Sequence, residues 1–252
     1  MGKGKNYNRN EIIDRLKTGL KTPSTLYKPS ENEYINYTGK TKDTKELYYD
    51  VIIRHLFSLS DNLDEYFRGK IKKISRKMRE RDNKVYRVAD HDLKKANQEA
   101  VKTEKTLQQM GERMLAKALL NNKTYPIIGK MIDYEIPIND ENCDGAGSID
   151  LLAYNSSTKT LSIIELKKFD NKETLLRTIL EINTYYCQID TEQLKLDYMD
   201  KYPTNENIKK VILVFKGQSQ HTQYCISTFV QYLAKELQVT ILLIDEEEIV
   251  KI

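Results

Sequence analysis

Hydrophobic residues recur along this chain at two different spacings, and the change from one to the other divides it into two regions. Up to about residue 100 the period is helical. Across 44–67, Leu47, Val51, Arg54, His55, Ser58 and Leu59 fall at helical intervals with Tyr48, Ile52 and Leu56 alongside, which predicts one amphipathic helix. Ile71, Ile74 and Met78 keep that spacing through 68–84 and predict a helix with a single apolar stripe. Residues 1–10 carry no such pattern and are expected to be frayed.

From Lys102 the pattern changes. Leu107, Met110, Met114, Leu115, Ala118 and Leu119 form an apolar helical stripe that ends near Asn121 and Asn122. Ile132, Tyr134, Ile136 and Ile138 then alternate with polar residues, the period of a half-buried strand. A loop is expected over 140–147, a strand over 148–154, a polar turn over 155–159 and a third strand over 160–168. Helices over 172–189 and 223–237 alternate with strands over 210–215 and 239–244. An antiparallel start followed by a crossover helix implies an α/β fold whose mixed central sheet is flanked by helices. The chain is therefore read as a mainly helical, basic region over 1–100 and an α/β domain over 101–252.

Composition narrows the class without naming a function. Hydrophobic residues make up 39% and charged residues 31%, which suits a globular chain, and no run of eighteen apolar residues suggests a membrane span. The N-terminus has Lys and Asn but no apolar segment, so export is not expected and a cytoplasmic location is. Cys143, Cys187 and Cys225, like His55, His91 and His221, are scattered and lack zinc-site spacing; reduced thiols are expected. The net charge of +4 hints only weakly at an acidic partner. The charge is uneven, however: residues 68–84 hold nine Lys or Arg against Glu80 and Asp82. Lys70, Lys72, Lys73, Arg76, Lys77 and Arg79 would form a phosphate-contacting arm, because clustered cations displace counterions from nucleic acid. A solvated helix face balanced by acids elsewhere is the equal alternative.

The chemistry lies in two acids inside apolar strands. The third strand reads Leu161-Ser-Ile-Ile-Glu165-Leu-Lys167, and a strand sends residues i and i+2 to one face, so Glu165 and Lys167 project together. The second strand carries Asp150 within Ser148-Ile-Asp-Leu-Leu-Ala. Hairpin pairing would bring Asp150 near Glu165, where burial and mutual repulsion both disfavour ionisation. A divalent cation relieves both, and hard oxygen ligands suit Mg²⁺ or Mn²⁺. A Glu-x-Lys triplet alone is most often an exposed strand pair; the apolar context, the preceding acid and the intervening turn give this one its meaning.

These residues, Gly147-Ser-Ile-Asp150 and, after fourteen intervening residues, Glu165-Leu-Lys167, resemble the signature of the PD-(D/E)xK nuclease superfamily, and the order of elements over 103–252 is similar to its restriction-endonuclease-like core. Ile149 stands where the signature has Pro. The resemblance implies that Asp150 and Glu165 hold the metal with the Leu166 carbonyl, and that Lys167 orients or helps deprotonate the attacking water. It also implies a Glu from the preceding helix, for which Glu112 is favoured over Glu104. A further pattern on the helix after the Lys strand is met by Tyr185, while Glu181 replaces the expected Gln; Glu181, Tyr185 and Gln188 share a helix face at the rim of the site. The implied function is metal-dependent hydrolysis of nucleic acid, DNA favoured, in restriction, phage defence or repair. The alternative is a nuclease-fold module that binds nucleic acid or regulates without cutting. A homodimer, and a protein partner for the N-terminal helices, are the remaining partner expectations.

Overall fold

The computed structural model describes residues 7–20, 33–74, 85–86, 92–121, 123–138, 147–204 and 208–252. Its centre is the expected hairpin of β3 (Ser148–Asn155) and β4 (Thr160–Leu166), antiparallel with Leu151 opposite Ile164. The Asn155 side chain closes the turn by accepting N–H groups from Ser157 at 3.1 Å and Thr158 at 3.3 Å. β2 (Gly129–Pro137) pairs with the other edge of β3, and the short β1 (Thr124–Tyr125) pairs with β2. After β4 the chain passes through α6 (Leu175–Gln188) and α7 (Thr191–Tyr198) and returns as β5 (Lys209–Phe215), parallel to β4. Two further helices, α8 (Ser219–Ile226) and α9 (Thr228–Glu236), lead to β6 (Val239–Asp245), again parallel. β7 (Glu248–Lys251) folds back antiparallel, and the seven strands lie side by side in chain order. The α/β class and the mixed sheet flanked by helices are as expected.

β4 is buried along its whole length, as a central strand covered on both faces should be. Leu161, Ile163 and Ile212 face one hydrophobic cluster, while Ile164, Leu166 and Leu213 face the other. The first cluster gathers α6, α9 and the N-terminal helices α1 (Arg9–Gly19), α2 (Tyr48–Phe57) and α3 (Leu63–Lys70). The second contains α4 (Leu93–Val101) and α5 (Glu112–Leu119).

Several local expectations are corrected. The helix over 44–67 is two, because Asn62 caps a fresh start by accepting the Glu65 N–H at 3.0 Å. α3 ends at Lys70, so Ile71–Ile74 do not continue it; residues 75–84 lie outside the described set. The helix over 223–237 is interrupted where the Ser227 side chain caps α9 at the Val230 N–H. α1 starts within the stretch expected to be frayed, through a capping box in which the Asn8 N–H donates to Glu11 at 2.6 Å. β2 breaks its alternation: Tyr134 joins the cluster opposite to that of Ile132, Ile136 and Ile138. A register shift between Met131 and Asp133 and a left-handed Glu135, φ 46°, turn the strand over. The loop expected over 140–147 falls outside the described residues except Gly147. Among the described residues no helix is long and apolar enough to cross a membrane.

A buried ion network ties α3 to the sheet. Lys210 on β5 donates to Asp64 at 3.0 Å and to Asn183 of α6 at 2.7 Å, and Asp64 also accepts from Arg68 at 2.7 Å. Burial pushes the Lys210 ammonium down, against the pull of Asp64. Lys210→Met should cost about 2 kcal/mol, less than a fully broken buried pair because Arg68 still balances Asp64. A urea midpoint equal to the parent's would refute this role.

Candidate active site

Three parallel strands end on the same side of the sheet, and such strand ends are where open α/β sheets place ligands. The hydrolytic candidates assemble there, around the end of β4. Asp150 accepts the Leu166 N–H at 2.7 Å across the hairpin. Glu165 and Lys167, both buried, share a face, and the Lys167 ammonium donates to Glu165 at 2.6 Å. The same ammonium reaches Glu181 on α6 at 3.1 Å and lies 3.1 Å from Glu173, just before that helix. Tyr185, one turn beyond Glu181, donates to it at 3.0 Å.

Glu112 approaches at the first turn of α5. It accepts from Asn171 at 2.9 Å and, at 3.4 Å, from the Lys168 N–H just past β4. Its rival Glu104 sits in a turn with φ 55°, before α5 rather than on it, so the two acids do not share a helix face. Gln188 ends α6, two turns beyond Glu181, and its backbone carbonyl accepts the Ile74 N–H at 2.7 Å. Lys70, Lys72 and Lys73 are exposed near that far end, and Arg76, Lys77 and Arg79 lie outside the described residues. α6 rises about 1.5 Å per residue, so that end lies roughly 20 Å along the helix from Glu173.

The electrostatics follow from crowding. Burial pushes the Asp150 carboxyl up to about 7, reinforced by Glu112 and Glu181 and opposed by Lys167 and the Leu166 N–H. Burial also raises Glu165 well above the carboxylate range, helped by Asp150 and Glu181. Burial works against the Lys167 ammonium, but Glu165, Glu181, Glu173 and Asp150 outweigh it and hold the proton firmly. Carboxylates this strained want a cation. Among the described residues, however, no three His, Cys, Asp or Glu side chains form a ready-made metal cage. Two carboxylates and a carbonyl still fit Mg²⁺, which commonly keeps several waters and uses one or two protein acids.

Sequence reasoning missed the supporting layer. Glu173 bridges Lys167 to Arg177, at 2.5 Å, and Thr174 caps α6 at the Arg177 N–H. Gln220, from α8, donates to Asn171 at 2.9 Å and to the Glu173 carbonyl at 2.8 Å. The Glu173–Arg177 spacing of four was a readable signal; the contact from Gln220 was not. Arg177 Nε and Gln218 Oε1 stay buried without hydrogen-bond partners in this layer.

Gly147 explains how Tyr185 is set. A Cβ there would come within 2.7 Å of the Tyr185 ring, so the start of β3 can approach α6 only without a side chain. Gly147→Ala is expected to lower stability by about 1–3 kcal/mol, an overpacking cost. Thermal unfolding should show that loss shrinking when Tyr185→Leu is added, since the clash is shared. Additive losses would contradict it.

No protein-family model, no curated protein and no solved structure matches this chain.

Proposed function

We propose that this chain is a metal-dependent phosphodiesterase of nucleic acid, with DNA the favoured substrate, built on a restriction-endonuclease-like core. The observation that carries the reading is the meeting of Asp150, Glu165 and Lys167 at the end of β4, joined by the Leu166 N–H and by an ammonium–carboxylate contact of 2.6 Å. The order of helix, three antiparallel strands, crossover helix and parallel strand supports it.

Asp150 and Glu165 would hold Mg²⁺ or Mn²⁺ with the Leu166 carbonyl, and Glu112, partly exposed, stands close enough to act on Asp150. A bound ion of this kind supplies an activated water and neutralises phosphate charge. Lys167 does different work from a base. Its ammonium already faces three carboxylates, so it cannot take a proton from water. It acts as a fixed cation that stabilises charge developing on the phosphate. Glu181 and Glu173 keep it aimed, and Tyr185 keeps Glu181 aimed.

The second reading, a module that binds without cutting, is favoured by one observation: Lys167 itself neutralises Glu165. One experiment separates the two. Purified protein with supercoiled plasmid and Mg²⁺ or Mn²⁺ should nick it, EDTA should stop the reaction, and calorimetry should register ion uptake by the parent. Nucleic-acid binding without nicking or ion uptake would reject the nuclease reading.

A further inference from the structure

Glu165, Lys167 and Glu181 are buried, whereas Asp150 and Glu112 keep partial exposure, and the chain leaving β4 continues past Glu112 as Lys168, Phe169, Asp170 and Asn171. That segment is anchored at both ends of its turn, by Glu112 accepting from the Lys168 N–H and from the Asn171 side chain. Between these anchors stands Phe169. It is 39% exposed, in a segment otherwise polar.

The ring is not loose. It meets Phe215, at the end of β5, edge to face with centroids 5.6 Å apart and planes at 86°. A T-shaped contact fixes the orientation of a ring while leaving a face of it uncovered. Lys168 adjoins Phe169 in the chain, Lys172 follows three positions on, and Lys216 adjoins Phe215. Lys168 and Lys216 pair with Asp170 at 3.1 Å and Asp245 at 2.7 Å, but all four side chains are exposed enough for a phosphate to compete. A rigid exposed ring beside surface cations is the combination that holds an unpaired base: the face takes the base and the cations take its backbone. A base inside a duplex offers no free face, so the ring is of use only to a single strand, a frayed end or an extruded nucleotide.

We propose that Phe169 is a stacking platform for an unpaired base beside the scissile phosphate, and hence that the preferred substrate is single-stranded or locally opened nucleic acid. This rests on the nuclease reading above. It adds a substrate preference that the acid and lysine cluster by itself does not contain.

The test uses the full chain carrying Asp150→Asn, so that nothing is cut, and an oligonucleotide with an internal 2-aminopurine, either single-stranded or in a duplex. Binding of the single strand should quench the fluorophore. Phe169→Ala should weaken that binding by about tenfold and Phe169→Leu should weaken it similarly, because bulk without a π-face does not stack. Phe169→Tyr should stay within about twofold, and duplex affinity should fall by less than about threefold. Thermal unfolding of each variant identifies any loss of fold, and the Leu variant preserves packing on Phe215 if the Ala variant suffers one. The inference is overturned if the Ala and Leu variants bind the single strand as the parent does, or if they lose single strand and duplex equally. Should unsubstituted protein nick DNA with Mn²⁺ while the variants bind alike, the stacking inference alone falls. Should it neither nick nor bind, the nuclease reading falls with it.

Discussion

Asp150→Asn is expected to lower metal-dependent cleavage on the order of 10³-fold, while leaving the metal-free protein more stable than the parent at neutral pH. The substitution keeps an oxygen to accept the Leu166 N–H, now 2.7 Å from the carboxylate, and removes the charge that would hold the cation. The stability sign follows from the raised carboxyl. Burial lifts Asp150 from 3.8 to about 7, so the folded state prefers the protonated acid. Its contribution is therefore most favourable below the unfolded value and declines as pH rises through that window. Parent and variant should be close at about pH 4 and diverge toward pH 7, by about 1–3 kcal/mol once partial exposure is discounted. Mg²⁺ should then favour the parent alone, since only it binds the ion. Urea unfolding in EDTA and in Mg²⁺ measures both parts. A variant that cuts like the parent, or a parent that is the more stable at neutral pH without metal, contradicts the assignment of Asp150.

The uneven legibility of this fold has a physical cause. Asp150 and Glu165 could be placed together from sequence because a two-residue period and a polar turn determine pairing over a short loop. The same reasoning recovered α6, β5 and β6, whose apolar runs are long. It failed where a single polar side chain starts a new helix while hydrophobic spacing continues, as at Asn62 and Ser227; both were readable as caps. It failed also at β2, where Glu135 turns left-handed and sends Tyr134 to the other face, although alternation in the sequence is unbroken. No local pattern announces that. The layer around Lys167 was hidden for a different reason. Glu173 and Glu181 follow from α6 once its docking is known, whereas Gln220 reaches Asn171 from 49 residues away. The pairing of Gly147 with Tyr185 is likewise a contact between distant elements, and the glycine alone reads as loop.

Lys167→Met tests what that hidden layer is for, and should give the largest combined effect in the protein. The side chain is buried, and removing its ammonium leaves Glu165, Glu173 and Glu181 facing one another without the charge that now lies 2.6, 3.1 and 3.1 Å away. Breaking a buried ion set in this way costs about 3–5 kcal/mol, because the partners remain in place uncompensated. Arg177 still balances Glu173, which keeps the loss within that range. The pH dependence is distinctive. Burial opposes the Lys167 ammonium, yet the carboxylates raise it well above 10.5, so its stabilisation is complete below that value and undiminished through the neutral range. In the variant the stranded acids must take up protons to fold comfortably, so its deficit should shrink toward about pH 5 and widen above neutrality. Adding Glu181→Gln should recover part of the stability by removing one stranded charge, with no recovery of cleavage, since the cation that serves the phosphate is still missing. Denaturant unfolding across pH, run beside plasmid nicking, separates the two roles. A deficit that does not change with pH, or a double variant that regains cleavage along with stability, would show that Lys167 is no fixed cation held by its acids.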